Sequence, residues 1–122
     1  MPASDRYVAY DVVVVPFPYT DRLDEKHRPA LVVSNASLGT FGLVWVAMIT
    51  SAANQGWSCD VPIGDLELAG LPAPSVVRAA KIACIDPSRV LRRAGTLTPT
   101  AARKVEGQLR AFLAAASPKR RT

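Results

Sequence analysis

Histidine, cysteine and aromatic residues are scarce in this chain of 122 residues. It contains one histidine, two cysteines and 7% aromatic residues. Cys59 and Cys84 lie far apart in apolar stretches, which favours reduced thiols in the core over a disulfide framework. With no CxxC pair and only His27 as an imidazole ligand, the sequence carries no zinc-binding pattern. We therefore expect a protein without a metal ion or other cofactor.

Long hydrophobic runs are also absent. The longest apolar stretches, such as residues 42–49, fall far short of the roughly 20 residues that a membrane-spanning helix needs. Residues 1–7 show no apolar run of the kind found in secretory signals. The hydrophobic fraction of 49% is ordinary for a folded protein. We expect a cytoplasmic, membrane-free protein with one domain over residues 1–122.

The charge of the chain is positive but unevenly spread. The formal net charge is +5, and Lys119, Arg120 and Arg121 lie in the C-terminal segment. Without these three residues the charge falls to 5 − 3 = +2. We expect the basic tail, residues 117–122, to be disordered. The charge permits a polyanionic partner such as a nucleic acid without establishing one.

Short runs with strand signals fill the first three quarters of the chain. They are rich in valine and bounded by turn residues, with no helical periodicity between them. The pattern predicts a mainly β protein, an antiparallel barrel or a compact sandwich. Residues 64–74 are rich in glycine and proline, which predicts a connection with at most one helical turn. The predicted strands are residues 11–17, 30–34, 43–50, 59–63, 75–78 and 81–86, the last two forming either two strands or one bent strand.

One helix is predicted near the C-terminus. Thr98 is a candidate N-cap, and Pro99 occupies the first helical position, where its missing N–H is tolerated. Apolar residues then recur at helical spacing, so one face should pack on the barrel or on a second subunit. That stripe consists of Val105, Leu109, Phe112 and Leu113. Because they sit in apolar runs, Phe17, Trp45 and Phe112 are expected in the core.

Four segments, in this order and spacing, resemble the MazF/PemK family of type II toxin–antitoxin toxins. They are DVVVVPFPYTD, HRPALVVSN, AMITSA and PSVVRAAKIACID, at residues 11–21, 27–35, 47–52 and 74–86. The resemblance extends over roughly residues 8–113. It implies an SH3-like, PemK-type compact β-barrel with a C-terminal helix, an α+β arrangement that assembles as a homodimer.

The resemblance also implies an activity and partners. Such toxins are metal-independent, sequence-selective endoribonucleases that cleave single-stranded RNA, including mRNA, and a cognate antitoxin blocks them. Two alternatives stay open at this point. The chain could be a barrel that binds RNA and scarcely cuts it, or a toxin resembling CcdB that acts on DNA gyrase. The tail SPKRRT lacks the tryptophan-containing terminus of such gyrase toxins.

Metal-free RNA cleavage proceeds by attack of the 2′-hydroxyl on its own phosphodiester. A base takes the hydroxyl proton, an acid protonates the 5′-oxygen, and a cation stabilises the phosphorane. The products are a 2′,3′-cyclic phosphate and a 5′-hydroxyl. Since the chain has a single histidine, a histidine pair is excluded. The site must combine arginines, carboxylates and hydroxyls, with His27 as a further candidate.

Three residues match the family's catalytic positions. The resemblance places Arg28 against the scissile phosphate, where a guanidinium can bind two oxygens at once. Thr50 matches the active-site threonine, and Arg78 matches the catalytic arginine of the PemK branch. On sequence alone, Arg28 would be read as a solvated loop arginine and Thr50 as a turn residue. Arg78 would be as readily an outward-facing strand residue.

The proton-transfer groups are less clearly marked. Ala80 stands where many relatives have an aspartate, so three outcomes stay open: Asp24 or Glu25, in the segment between the first two strands, replaces it, or turnover is slow, or the protein binds RNA and scarcely cuts it. His27 is a secondary candidate, since neighbouring strand residues point to opposite faces. A further departure is Tyr10, where a glycine is usual. The expected RNA-binding residues are Ser51, Tyr19, Trp57 and Lys81, the two aromatic ones by stacking on bases.

Overall fold

Six antiparallel strands form one sheet in a computed structural model that describes residues 7–16, 26–54 and 56–114. The strand order across the sheet is β4-β5-β3-β2-β1-β6. The mainly β prediction with a C-terminal helix is therefore confirmed. The strands are β1 (Asp11–Pro16), β2 (His27–Val32), β3 (Val44–Ser51), β4 (Asp60–Pro62), β5 (Ser75–Ile85) and β6 (Arg92–Thr96).

Three helices and two 3₁₀ turns complete the described ranges. Helices α1 (Ala36–Gly39) and α2 (Leu66–Ala69) are single turns, whereas α3 (Pro99–Ala114) is the long C-terminal helix. The 3₁₀ turns lie at Ala52–Asn54 and Pro87–Arg89. None of the helices in the described part of the chain is long and apolar enough to cross a membrane.

The central strands are buried on both faces. Five of the six β1 residues are buried and the sixth is half-buried, which explains why this segment reads as an unbroken valine run. One face of the sheet packs against α3, with Val105 of the helix and Leu31 of β2 fully buried there. The opposite face carries a second apolar cluster that includes Val13, Ala30 and Met48.

The predicted helix start is confirmed in detail. Pro99 is the first residue of α3, and the Thr98 hydroxyl oxygen accepts a hydrogen bond from the Ala101 amide at 3.2 Å. The two ends of the apolar stripe on α3 differ in burial. Val105 is fully buried, whereas Phe112 is 51% exposed, so the described residues leave the C-terminal end of the stripe largely uncovered.

Several sequence expectations need correction. Strand β6 was not predicted, because its residues Arg92–Thr96 include two arginines and a glycine. An edge strand needs little apolar character, and β6 pairs only with β1 in this sheet. The prediction of core positions for Trp45 and Phe112 was wrong, since both are about half exposed. Cys84 is exposed, and only Cys59 is a buried thiol. Phe17 and the tail 117–122 lie outside the described residues.

Tyr10, found where relatives have glycine, adopts a left-handed backbone with φ of 72°. Glycine enters this region without strain, whereas a tyrosine there is unusual. Surrounding contacts hold the conformation in place. The Tyr10 amide donates to the Val32 carbonyl at 2.6 Å, and its carbonyl accepts from Leu97 N and Thr96 Oγ1 at 3.1 Å. The side chain packs against the α3 face of the sheet.

A close approach between two glycines joins α2 to β6. Gly70 caps α2 with φ of 72°, and a Cβ added there would overlap the carbonyl group of Ala94. A Cβ on Gly95 would in turn overlap the carbonyl oxygen of Leu68 and the backbone of Ala69. Both obstacles are backbone atoms, so a side chain could fit only if α2 moved away from the sheet.

We therefore expect Gly95→Ala to lower the free energy of unfolding by about 2–3 kcal/mol, the usual cost of forcing an atom into a packed contact. Gly107→Ala is the matched control, because Gly107 lies exposed within α3 with no atom near the added Cβ. It should raise stability by roughly 0.5–1 kcal/mol through helix propensity. Urea unfolding of both variants checks this, and equal effects would contradict the packing argument.

Candidate functional site

Register across the sheet aligns an arginine and an aspartate with the second apolar cluster. Met48 in β3 pairs with Ala30 on one side and with Arg78 on the other, and Arg78 pairs in turn with Asp60 of β4. Directly paired residues on antiparallel strands point to the same face. Arg78 and Asp60 therefore share the face on which Ala30 and Met48 are buried.

Arg28 and Thr50 belong to the same face. Ala30 of β2 pairs with Met48 of β3. Arg28 lies two residues before Ala30, and Thr50 lies two residues after Met48, so both point to the same face as that pair. Because the strands run antiparallel, both steps lead to the same end of the sheet. Adjacent strands are about 5 Å apart, so the two side chains stand next to each other at the rim of the apolar cluster.

Each of these two residues is half-buried and held in regular strand. Arg28 is paired with Val15 as the second residue of β2, not at a loop junction as the sequence suggested. Thr50 Oγ1 accepts a hydrogen bond from Asn54 Nδ2 at 3.2 Å. That contact uses a lone pair of the hydroxyl oxygen and leaves its hydrogen available for donation to an acceptor such as a phosphate oxygen.

Arg78 is bound on three sides. Its Nε donates to Asp60 Oδ1 at 3.0 Å, and its Nη2 donates to Asp60 Oδ2 at 3.0 Å and to the Asn54 carbonyl oxygen at 2.9 Å. The indole ring of Trp57 stacks on the guanidinium, with the ring centroid 4.2 Å from Cζ. The side chains of Arg78 and Asp60 are only 12% and 6% exposed. This is a fork-to-fork ion pair in a nearly closed environment.

Asp60 also orders the loop that precedes it. Its Oδ2 accepts from the amides of Gly56 and Trp57, both at 3.2 Å. The hydrogen bonds from Arg78, followed by those two amides, hold the pKa of the Asp60 carboxyl below its ordinary value of 3.8. Asp60 is therefore ionised throughout the physiological range. With both oxygens occupied, it is a poor proton acceptor for catalysis.

Other predicted site residues do not join this group. His27 is exposed and neighbours Arg28 in regular strand, so its side chain points to the opposite face. Ser51 likewise alternates with Thr50, and its Oγ accepts from the Ala53 amide at 3.2 Å. Lys81 is exposed in a β5 segment that bulges between the pairs Met48↔Arg78 and Ala47↔Ile82. Tyr19, Asp24 and Glu25 lie outside the described residues.

Asp60 was missed by sequence reasoning. It opens the short alternating run before Ile63, where a carboxylate reads as a solvated strand end. No signal in the sequence marks this ion pair, because the pairing of a short strand with VVR, which places Asp60 opposite Arg78, is seen only in the structure. Strand partners that are 18 residues apart cannot be assigned from a single run of sequence, so this carboxylate became visible only in the fold.

A groove of about 770 Å³ lies on the α3 side of the sheet, adjacent to the β5 bulge. Ala79 and Ala80 line it, so the position at which relatives have an aspartate faces this groove and is apolar here. Trp45, Ile82 and Phe112 contribute exposed apolar surface to it. Glu106 and Arg110 form an ion pair at 2.8 Å along one wall. Within the described ranges, no three His, Cys, Asp or Glu residues cluster to hold a metal ion.

A family model described as PemK-like, MazF-like toxin of type II toxin–antitoxin systems matches residues 9–113. The chain belongs to this toxin family. The matched range covers every described strand and nearly all of α3, so the site described above lies wholly within the toxin domain. Among curated protein sequences, none matches this toxin significantly.

Solved structures of toxins share the fold. A MazF from Deinococcus radiodurans superposes with a TM-score of 0.70 at 25% identity, covering 88% of this chain and 96% of its own. The Mycobacterium tuberculosis toxin MazF-mt6 gives 0.67 at 21% identity, covering 85% and 96%. An endoribonuclease in complex with its cognate antitoxin, from a mycobacterial species, gives 0.71 at 18% identity, covering 92% and 99%.

The Arg78–Asp60 pair should give the toxin an acid-sensitive component of stability. A carboxyl whose pKa is lowered by folding stabilises the folded state above its ordinary value of 3.8, and this contribution is lost as the pH falls through the lower folded pKa. We expect the free energy of unfolding to fall more steeply below pH 4 in the wild type than in Asp60→Asn. Urea unfolding from pH 7 to pH 2 at fixed protein concentration measures this.

Arg78→Met is the reciprocal variant, because it removes the guanidinium that lowers the carboxyl pKa. This variant should weaken the same dependence of the free energy of unfolding on acidic pH. The double variant should lose little more of that dependence than either single variant. An identical acid limb in the wild type and in Asp60→Asn would show that the ion pair does not set the acid stability.

Proposed function

We propose that this toxin is a metal-independent endoribonuclease that cleaves single-stranded RNA and is inhibited by a cognate antitoxin in the cytoplasm. The observation that carries the proposal is the position of Arg28, Thr50 and Arg78 on one face of the sheet, with Arg28 and Thr50 at its end and Arg78 opposite Met48, one step inward. All three match catalytic positions implied by the family resemblance. The neighbouring structures described as endoribonuclease and as MazE–MazF complexes support the same reading.

The arrangement suits in-line attack by a 2′-hydroxyl. Arg28 would bind two oxygens of the scissile phosphate and stabilise the charge that grows on the phosphorane. Thr50, beside it, would donate its hydroxyl hydrogen to the same group. Arg78 lies one strand further along and would add positive charge without changing its own protonation. A bound RNA would leave as a 2′,3′-cyclic phosphate and a 5′-hydroxyl end.

The proton acceptor must come from elsewhere in the chain. Asp60 is excluded because its oxygens are occupied by Arg78 and two loop amides, and position 80 carries alanine. We therefore assign proton transfer to Asp24 or Glu25, which the chain joins to β2 just before Arg28. Replacing each in turn by its amide should identify which one is required.

The first test is cleavage of labelled single-stranded RNA by pure toxin in the presence of EDTA. Arg28→Ala should slow cleavage about 100-fold or more, since removing one donor to a transition-state oxyanion costs this much. Arg28→Lys should recover only a small part, because an ammonium cannot bind two oxygens in a plane. Gel analysis of the products checks rate and end chemistry together.

Arg92→Ala is the matched control, since Arg92 is an exposed arginine on edge strand β6. It should leave cleavage unchanged. RNA that is bound and never cut by the wild type would replace this proposal with that of a binding barrel. Equal activity of wild type and Arg28→Ala would remove Arg28 from the site.

We further propose a homodimer formed through the apolar groove beside α3. Trp45 and Phe112 are 43% and 51% exposed there, and exposed large apolar side chains that lie together often mark an interaction surface. A two-fold interface brings the same patch of both copies together. Glu106 and Arg110 on the groove wall pair with each other, so neither would be left as an unpaired charge in such an interface.

Phe112→Asp should convert a dimer into a monomer of 13.0 kDa, because a carboxylate cannot be buried unpaired in an apolar interface. Leu91→Asp is the control, as Leu91 is similarly exposed (48%) but lies outside the groove. Sedimentation equilibrium over a range of concentrations distinguishes the two. A monomeric wild type at high concentration, or a Phe112→Asp variant that dimerises equally well, would refute this interface.

A further inference from the structure

The guanidinium of Arg78 has a fixed orientation. Asp60 holds its Nε and Nη2, the Asn54 carbonyl oxygen binds Nη2 a second time, and Trp57 covers one face. Rotation about the long side chain would break two charge-assisted hydrogen bonds at once. Within the described residues, Nη1 makes no such contact, so its two N–H groups are the donors that remain for a ligand.

Asp60 sets the position of Trp57 as well. Its Oδ2 accepts from the backbone amides of Gly56 and Trp57, while the same oxygen binds Arg78 Nη2. One carboxylate therefore fixes the cation and the backbone that carries the aromatic ring. Removing its charge would release both, even though Arg78 and Trp57 themselves would be unchanged.

The outer surface of this group matches the needs of an unpaired nucleotide. Trp57 is 51% exposed although one face lies on Arg78, so the other face is open to solvent. A nucleobase stacks well on an indole, and a cation behind the ring is compatible with that stack. Nη1 is bonded to the same Cζ that lies 4.2 Å from the ring centroid, so the phosphate of a base stacked on Trp57 would approach its N–H groups.

We propose that Asp60 is a positioning residue that holds Arg78 and Trp57 together as one binding element for an unpaired nucleotide. The base stacks on Trp57 and its phosphate is bound by Nη1 of Arg78. The proposal rests on the RNA-cleaving function proposed above and adds a residue to it. The competing explanation is that the Arg78–Asp60 pair only stabilises the β4–β5 hairpin, which would leave RNA affinity unaffected.

The experiment measures binding apart from cleavage. The probe is a fluorescently labelled 2′-O-methyl RNA oligonucleotide of about ten nucleotides, within the usual range of single-strand site sizes. It cannot be cut by 2′-hydroxyl attack. Anisotropy titrations at several salt concentrations give the Kd and the slope of log K against log salt. Circular dichroism confirms that each variant is folded.

Trp57→Ala should weaken binding about 10-fold, the usual loss for one stacked base, and Trp57→Phe should restore most of it. Asp60→Asn should weaken binding about 5-fold and reduce the salt slope by about 0.7, the value for one lost phosphate contact on a single strand. Arg78 keeps its charge in that variant and loses only its orientation. Asp60→Glu keeps the carboxylate charge but displaces it, so its Kd should lie between those of the wild type and Asp60→Asn.

Arg93→Gln is the control. It breaks a different ion pair, between Arg93 and Asp11 at 3.1 Å, and removes a positive charge that lies outside the proposed binding element. It should leave the salt slope unchanged. An unaltered Kd and slope in folded Asp60→Asn would overturn the proposal, as would full affinity in Trp57→Ala. If the wild type binds the probe as expected but cuts no RNA, the binding element stands and the endoribonuclease function falls.

Discussion

Burial of the central strands on both faces is the constraint on which this structure depends. Strand β1 and most of β3 are buried, so an unpaired polar side chain in the middle of these strands would be costly. Functional groups can therefore stand only where the apolar cluster ends. Arg28, Thr50 and Arg78 occupy that rim on three neighbouring strands. The packing that makes the sheet stable thus concentrates the charged groups at one edge of a hydrophobic surface.

The rim residues differ in how far sequence could predict them. Arg28 and Thr50 lie inside recognisable segments, and alternation along β2 and β3 is enough to place them on one face. His27 is adjacent to Arg28 in the sequence, but the same alternation places their side chains on opposite faces of the sheet. The partner of Arg78 could not be predicted from sequence, because Asp60 belongs to a three-residue strand whose pairing is decided by the fold. Edge strand β6 was missed because its position also depends on the fold. Backbone pairing with β1 and the Asp11–Arg93 ion pair hold it in the sheet, and buried apolar side chains contribute little.

The groove beside α3 shows the limit of reading a hydrophobic residue as a core residue. Trp45 and Phe112 fit apolar periodicity, yet the fold leaves them half exposed because this chain has no further element to cover them in its described part. Tyr10 contributes to the same surface from a left-handed position where glycine would be easier. Its ring fills space between the sheet and α3, and this packing opposes the backbone strain. The homodimer proposed above would cover this apolar surface.

Position 80 connects the groove with the chemistry. It lies in the β5 bulge, two residues beyond Arg78, and faces the apolar groove rather than the rim. A carboxylate there would place a charge in the groove proposed as the dimer surface, whereas alanine leaves the groove apolar. Asp60 cannot take over proton transfer while it binds Arg78. Under the functions proposed here, the segment before β2 supplies the base and the loop before β4 holds the nucleotide. The residues proposed for proton transfer and for base stacking then belong to different segments of the chain, while Arg78 contributes to both binding and cleavage.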